Sequence, residues 1–300
     1  MKGQQGHTDR PYFPCLLGNG VDSVLLDYSG SMSCDSGHLH MEQHQGAVCA
    51  WHKATHRGIA KVIPPLLQST YTLFTLCGKT WYDTVGETWE VGEYNQQFDP
   101  LSGVLSTTVQ ASQFCLEVTT FITGNHVLVE HYRVLATPER PCAVGLNLTP
   151  PMVHWSNGLY KLASPMRHAF HADVGSRTIH CNFEAGGVRG RAALCVDTAV
   201  SAEATYRGGK RLVVTDAVKP GSEFTKFVVV IDERDQGDFR TAADVTLEEV
   251  RAAGYGAVLA RHRADALAFS QMSTVRLPDE WINHVYNSAL YNLRAHQNPY

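Results

Sequence analysis

From position 15 to about position 232 the chain is a succession of short apolar runs broken by turn residues, with no helical period between them. Runs at 22–28, 71–76, 95–98, 104–109, 114–123 and 127–136 are followed by others at 143–148, 177–183, 191–200, 211–218 and 224–231. Gly18-Asn19-Gly20 precedes the first, and Asp99-Pro100-Leu101-Ser102-Gly103 separates the third and fourth as a proline-led turn with glycine at its end. Gly124-Asn125, the glycine pair 186–187 and the stretch Thr205–Lys210 read as hairpin turns. A parallel sheet needs crossover helices, and there is no room for them. This pattern predicts antiparallel sheets packed as a sandwich. The segment 42–67, with Gly46, Trp51 and Pro64-Pro65, is less regular and reads as a long connection over one sheet face.

At about Ala242 the period changes. Thr246-Leu247-Glu248-Glu249 fits a capping box and opens an alanine-rich helix to Phe269, which Gly254 and Gly256 weaken by about 1 kcal/mol each. After a break at 270–277, Pro278-Asp279-Glu280 opens a second helix with proline and acids in its first turn. There Trp281, Ile282, Val285, Tyr286, Ala289, Leu290 and Leu293 recur at helical spacing. Such a face is buried either on the sandwich or on partners beyond residue 300. Trp281, Tyr286 and Tyr291 are expected to pack.

Composition narrows the class. Hydrophobic residues make up 44% of the 300 positions, which excludes global disorder. No apolar run approaches the roughly 20 residues needed to cross a bilayer, and the first residues lack the apolar core of a secretory signal. A net charge of −4 with no basic block argues against nucleic acid. Eight cysteines without a C-x-x-C pair read as buried free thiols in a reducing, cytoplasmic setting. There is no G-x-S-x-G elbow and no P-loop, so a hydrolase triad and a nucleotide site lack support.

Several stretches, taken in order, resemble a known arrangement. Leu17-Gly18-Asn19-Gly20 resembles the L-G-N-G turn that begins the N-terminal β-supersandwich of six-hairpin glycoside hydrolases and phosphorylases, such as the maltose and kojibiose phosphorylase and bacterial α-L-fucosidase groups. Phe98-Asp99-Pro100-Leu101-Ser102-Gly103-Val104-Leu105 is similar to their D-x-x-x-G-x-L hairpin. Phe121-Ile122-Thr123 with His126–Tyr132 resembles the strand pair after it, and 254–263 the linker helix. Ser273–Asp279 and Tyr286–Tyr291 are similar to the beginning of an (α/α)6 barrel.

The resemblance implies a mainly β chain: an antiparallel supersandwich over 1–240, a helical linker over 241–275 and, over 276–300, the first helix of a truncated (α/α)6 barrel. It implies the N-terminal portion of an enzyme that cleaves glycosidic bonds with a carboxylic acid and either water or phosphate. The catalytic acid of such enzymes comes from barrel loops, so no catalytic residue is assigned to this chain. Its expected partners are an oligosaccharide or glycoside substrate and the barrel of the same polypeptide, with a homo-oligomer left open. Neither nucleic acid nor a membrane is expected, nor any cofactor.

The substrate-binding candidates are Trp51, His52 and Arg57 in Trp51-His52-Lys53-Ala54-Thr55-His56-Arg57, and Trp155 in His154-Trp155-Ser156-Asn157. Indole stacks on the apolar face of a sugar ring, while imidazole and guanidinium suit its hydroxyls. A tryptophan buried over a sheet edge is the plainer reading of the same residues. This leaves a non-catalytic sugar-binding sandwich as an alternative. A third reading takes His38, His40, Glu42, His44, His52 and His56 as a cupin-like metal stripe. The glutamate stands only two positions after His40, closer than the cupin pattern, so no metal ligand is assigned.

Overall fold

The computed structural model describes residues 4–7, 15–26, 29–30, 51–53, 69–76, 91–111, 114–137, 139, 142–149, 167–185, 188–206, 208–272 and 275–296. Among them the pairing is antiparallel throughout. β1 (Gln4–His7), β6 (Val91–Asp99), β7 (Val104–Ala111), β8 (Cys115–Ile122), β9 (Val127–Ala136), β16 (Glu223–Asp232), β13 (Val188–Val196), β12 (Thr178–Ala185) and β11 (Arg167–Asp173) form a nine-stranded sheet in that spatial order. β14 (Ala202–Tyr206), β15 (Gly209–Val214), β10 (Cys142–Thr149) and β5 (Ser69–Leu76) form a second sheet. β2 (Cys15–Gly18), β3 (Asp22–Leu26) and β4 (Trp51–Lys53) form a small third one. The expected hairpins stand: Ile122 pairs with Leu128 across the 124–125 turn, and Asp99 with Val104 across the proline turn.

The sheets enclose two cores. Leu116, Val118, Leu128, Val228 and Leu194 of the large sheet meet Val144, Leu146, Leu212 and Val214 of the four-stranded one. The opposite face, with Phe121, Val127, Val129, Ala193, Phe227 and Val229, packs against α1 (Phe239–Gln271) through Phe239, Ala243, Leu247 and Val250. β16 is covered on both sides, so its Phe227–Ile231 stretch is unbroken apolar sequence, whereas the start of β8 alternates. The inter-sheet core also holds charge. Lys226 Nζ lies 2.5 Å from Glu130 Oε2, which accepts the Tyr132 hydroxyl at 2.6 Å, all three fully or almost fully buried. In the four-stranded sheet buried Arg211 donates to Asn147 at 2.6 Å and stacks over Tyr206.

Four sequence expectations change. The first helix begins at Phe239, about two turns before Thr246, because Asp238 caps it by accepting from the Thr241 N–H and Phe239 and Ala243 extend its apolar stripe. At Gly254 (φ 75°, ψ 163°) the helix breaks rather than merely weakening, and continues with Val258, His262 and Ala266 inward. Within the stretch read as a connection, Trp51–Lys53 is an edge strand, too short for periodicity to reveal. On α2 (Glu280–His296), which Asp279 caps through the Trp281 and Ile282 N–H groups, Trp281 is 71% exposed, not packed. Among the described cysteines, Cys142, Cys181 and Cys195 are buried and Cys15 and Cys115 partly so, all as free thiols. Burial pushes the Cys15 and Cys195 thiols up to about 12, leaving them protonated and inert.

Candidate functional site at the joint of sandwich and helices

The turn between β2 and β3 is built by one side chain. Asn19 Oδ1 accepts from the N–H groups of Val21 (3.0 Å) and Asp22 (2.7 Å), folding the chain back on itself. Its Nδ2 reaches across to the carbonyl of Thr123 at 2.8 Å, tying this turn to the β8–β9 hairpin. In that hairpin Thr123 holds the tip by bonding Asn125 and Val127, and His126 closes it with φ 67°. Glycine takes this left-handed backbone freely, whereas a residue with a β-carbon does so at about 1 kcal/mol. His126 Nδ1 is in short contact with a carboxylate oxygen of Asp22, which is fully buried. Beyond the end of β16, Arg234 clasps Asp232, and Asp235 accepts from the Asp232 N–H at 2.9 Å. Burial disfavours the charge on Arg234. Its bonds and attraction to Asp232 outweigh that, with help from Asp235 and Asp22, and hold the guanidinium above its ordinary value.

Next to this cluster the helices dock. The Gly18 N–H donates to the Tyr291 hydroxyl at 3.0 Å, and the Tyr291 ring meets Phe98 edge-on at 4.7 Å. A β-carbon on Gly18 would lie 2.9 Å from both Cβ and the carbonyl oxygen of Ala295. One on Gly103 would lie 2.8 Å from the Tyr291 ring, and φ 67° there favours glycine as well. The glycines of the two turns are thus the seats of α2. The second half of α1 grips the same hairpin, since His262 is buried, stacks on Phe121 and bonds the backbone of Ser102. Burial pushes His262 down to about 4, so it is neutral here. Between α1, α2 and the hairpin lies a cleft of about 100 Å³ lined by Leu101, Phe269, Met272, Leu290, Tyr291 and Arg294.

Seen along α2, Tyr291 and Ala295 point into the sandwich, while Trp281, Ile282, Val285, Ala289 and Leu293 form a straight exposed stripe on the other side. Most of the apolar stripe read from the sequence therefore lies on the outward face, its Tyr286 and Leu290 are half-buried, and Tyr291 anchors the inward face.

Of the sequence candidates, Trp51 and His52 lie on β4, their backbones paired with Val24 and Ser23 of β3. Lys53 is in register with Asp22, which brings β4 to the strand that carries the buried carboxylate. Arg57 and Trp155 lie outside the described residues, as do His38, His40, Glu42, His44 and His56. Among the described residues no group of three or more His, Cys, Asp or Glu is arranged to hold a metal ion. No helix among them is long and apolar enough to cross a membrane. Sequence reasoning missed the pairing of Asp22 with His126, 104 positions apart, although both stand beside motifs it singled out.

No protein-family model matches the chain, and no curated protein sequence matches it. Solved structures do. A structure described as a putative kojibiose phosphorylase from the human microbiome aligns with a TM-score of 0.63 at 10% identity, over 93% of this chain and 39% of that one. A family GH92 inverting mannosidase from Bacteroides thetaiotaomicron aligns at 0.52 and 12% identity, over 77% of this chain and 30% of its own. A GH92 family glycosyl hydrolase aligns at 0.52 and 10%, over 98% and 40%. The chain thus spans about two fifths or less of the proteins it matches. It has the antiparallel β-sandwich followed by helices that these phosphorylase and mannosidase structures share with it.

Proposed function

We propose that the chain is the N-terminal portion of a carbohydrate-active enzyme that cleaves glycosidic bonds, by water or by phosphate, with the aid of a catalytic acid. In this reading residues 1–240 are the sandwich, 241–275 the linker, and 276–300 the first helix of an (α/α)6 catalytic barrel. The catalytic acid lies in the barrel, outside these 300 residues. The setting is cytoplasmic, and Trp51, His52, Arg57 and Trp155 shape one rim of the sugar pocket. The observation that carries the reading is α2. It is seated on the two glycine turns by Tyr291 and turns a second apolar face, from Trp281 to Leu293, away from the sandwich. An apolar stripe opposite a docked face is what a helix presents when another helical layer covers it. The likeness to a kojibiose phosphorylase and to mannosidases supports sugars as the substrate class.

The test is cleavage of kojibiose and of mannosyl disaccharides by the polypeptide expressed from its complete reading frame, with and without inorganic phosphate. Release of free sugar without phosphate supports a hydrolase, and formation of sugar phosphate supports a phosphorylase. No turnover of any disaccharide under either condition contradicts the reading. The 300-residue chain alone is expected to be inactive.

A further inference from the structure

We infer that the open part of the nine-stranded sheet carries a binding site for a neutral saccharide, formed by Asn95, Gln97, Ser106, Thr108, Glu117 and Thr119 of β6, β7 and β8. Saccharide as the ligand class rests on the proposed function. The place rests on shape, on unspent hydrogen bonds and on the lack of free charge. On the face that α1 packs against, Phe121, Val129 and Phe227 stand in one apolar rank. Two residues on, register sets Gln97, Ser106, Thr119 and His131 side by side, and the next rank is Asn95, Thr108, Glu117 and Arg133. Tyr255 of α1 stacks on His131 at 3.7 Å, while Gln97, Ser106 and Thr108 lie exposed. Short side chains on β7 between longer ones on the flanking strands turn this part of the sheet into a trough. Its hollow of about 300 Å³ is lined by all six residues and has room for a small ligand.

The side chains of Gln97, Ser106, Thr108 and Thr119 make no hydrogen bond with any described residue. Elsewhere on the same face polar groups spend their bonds on one another. Arg191 donates to Asn182 at 3.0 Å and to Asp244 at 2.6 Å, and Asp244 lies 3.3 Å from His180. In the trough, neighbours that could pair in this way stay apart, and each is an amide or hydroxyl able both to donate and to accept. Neighbouring strands set them about 4.8 Å apart, on the scale of the hydroxyls around a pyranose ring.

Other ligand classes fit this lining less well. Among the described residues no lysine or arginine lines the hollow, so a phosphate or a nucleic acid finds no cation in it. The one charged group, Glu117, is paired with Arg133 at 3.2 Å. A peptide binds a sheet by adding to an edge, and β6, β7 and β8 are interior strands whose backbone groups are taken up by their neighbours. An uncharged ligand rich in hydroxyls matches what remains.

The experiment is an NMR titration of the chain labelled at its threonine methyl groups, with kojibiose and mannobiose as probes and glycerol as the control. The Thr108 and Thr119 methyl resonances are expected to move saturably with at least one disaccharide, and not with glycerol at equal concentration. Ser106→Lys lays a long side chain in the trough and is expected to bind about tenfold more weakly, the loss of one or two hydrogen bonds. Gln110→Lys, on the same strand and face but outside the hollow, binds as the parent does. If Ser106→Lys fails to fold, Thr108→Lys and the titration of the parent chain decide. Saccharide binding that leaves both methyl resonances in place, or that is equal in Ser106→Lys, overturns the site and leaves the carbohydrate reading standing. Movement of neither resonance with either disaccharide, or the same movement with glycerol, also overturns it, and the cleavage assay then separately decides the broader reading.

Discussion

The N–H of Gly18 donates to the hydroxyl of Tyr291 at 3.0 Å across 273 positions of sequence, joining the first strong turn of the sandwich to the last helix. The bond is buried, and the Tyr291 ring fills the space left by a second glycine, Gly103. Burial raises the phenol well above its ordinary value, so it stays a neutral hydroxyl able to accept from Gly18. Tyr291→Phe leaves the Gly18 N–H without that acceptor and is expected to destabilise the chain by about 1–3 kcal/mol in urea denaturation. Tyr291→Ala also opens a cavity and is expected to cost about 3–5 kcal/mol.

Gly18→Ala tests the same joint from the sandwich side. The new methyl would press on Ala295, one of its contacts being a backbone oxygen that cannot rotate away. Overpacking of this kind costs about 1–3 kcal/mol. Hydrogen exchange should show the loss concentrated in α2, with the nine-stranded sheet unchanged. Equal acceleration throughout the sheet would contradict the placement.

His262 gives the chain an acid limit. Its folded value is about 4 against an ordinary 6.5, because burial disfavours the imidazolium. The unfolded chain therefore binds a proton that the folded chain refuses between those values. Its contribution is full above pH 6.5 and is lost as pH falls towards 4, reaching about 3 kcal/mol by simple linkage. His262→Gln is expected to flatten this part of the stability profile, as read by thermal unfolding at pH 7 and pH 4.5.

The Lys226–Glu130 pair lies wholly inside the inter-sheet core. Lys226→Met strands a buried carboxylate and is expected to cost about 3–5 kcal/mol. The double substitution Lys226→Met/Glu130→Leu removes both charges and should cost less than the single one. A double variant worse than Lys226→Met would show that these groups stabilise the core through further partners.

Much of this architecture is legible in the sequence because local chemistry and tertiary packing agree there. The alternation in Cys115–Ile122 and the 124–125 turn make a hairpin without help from distant residues. The first helix starts early because a single carboxylate, Asp238, outcompetes the fuller capping motif at Thr246, and nothing local ranks the two. Trp281 reads as core from its spacing, since a helix with two apolar faces looks the same in sequence whichever one is covered. The Asp22–His126 contact could not be read, because it depends on two turns being brought together by Asn19 and Thr123.

α2 has two packing faces, one seated by Tyr291 and one open. Light scattering over a concentration series, on the parent chain and on Trp281→Lys/Val285→Glu, measures this. The parent is expected to self-associate with rising concentration, and the double variant to remain monomeric with an unchanged melting temperature. A parent chain that stays monomeric over the whole series, or a double variant that unfolds because those side chains were already buried, would contradict it.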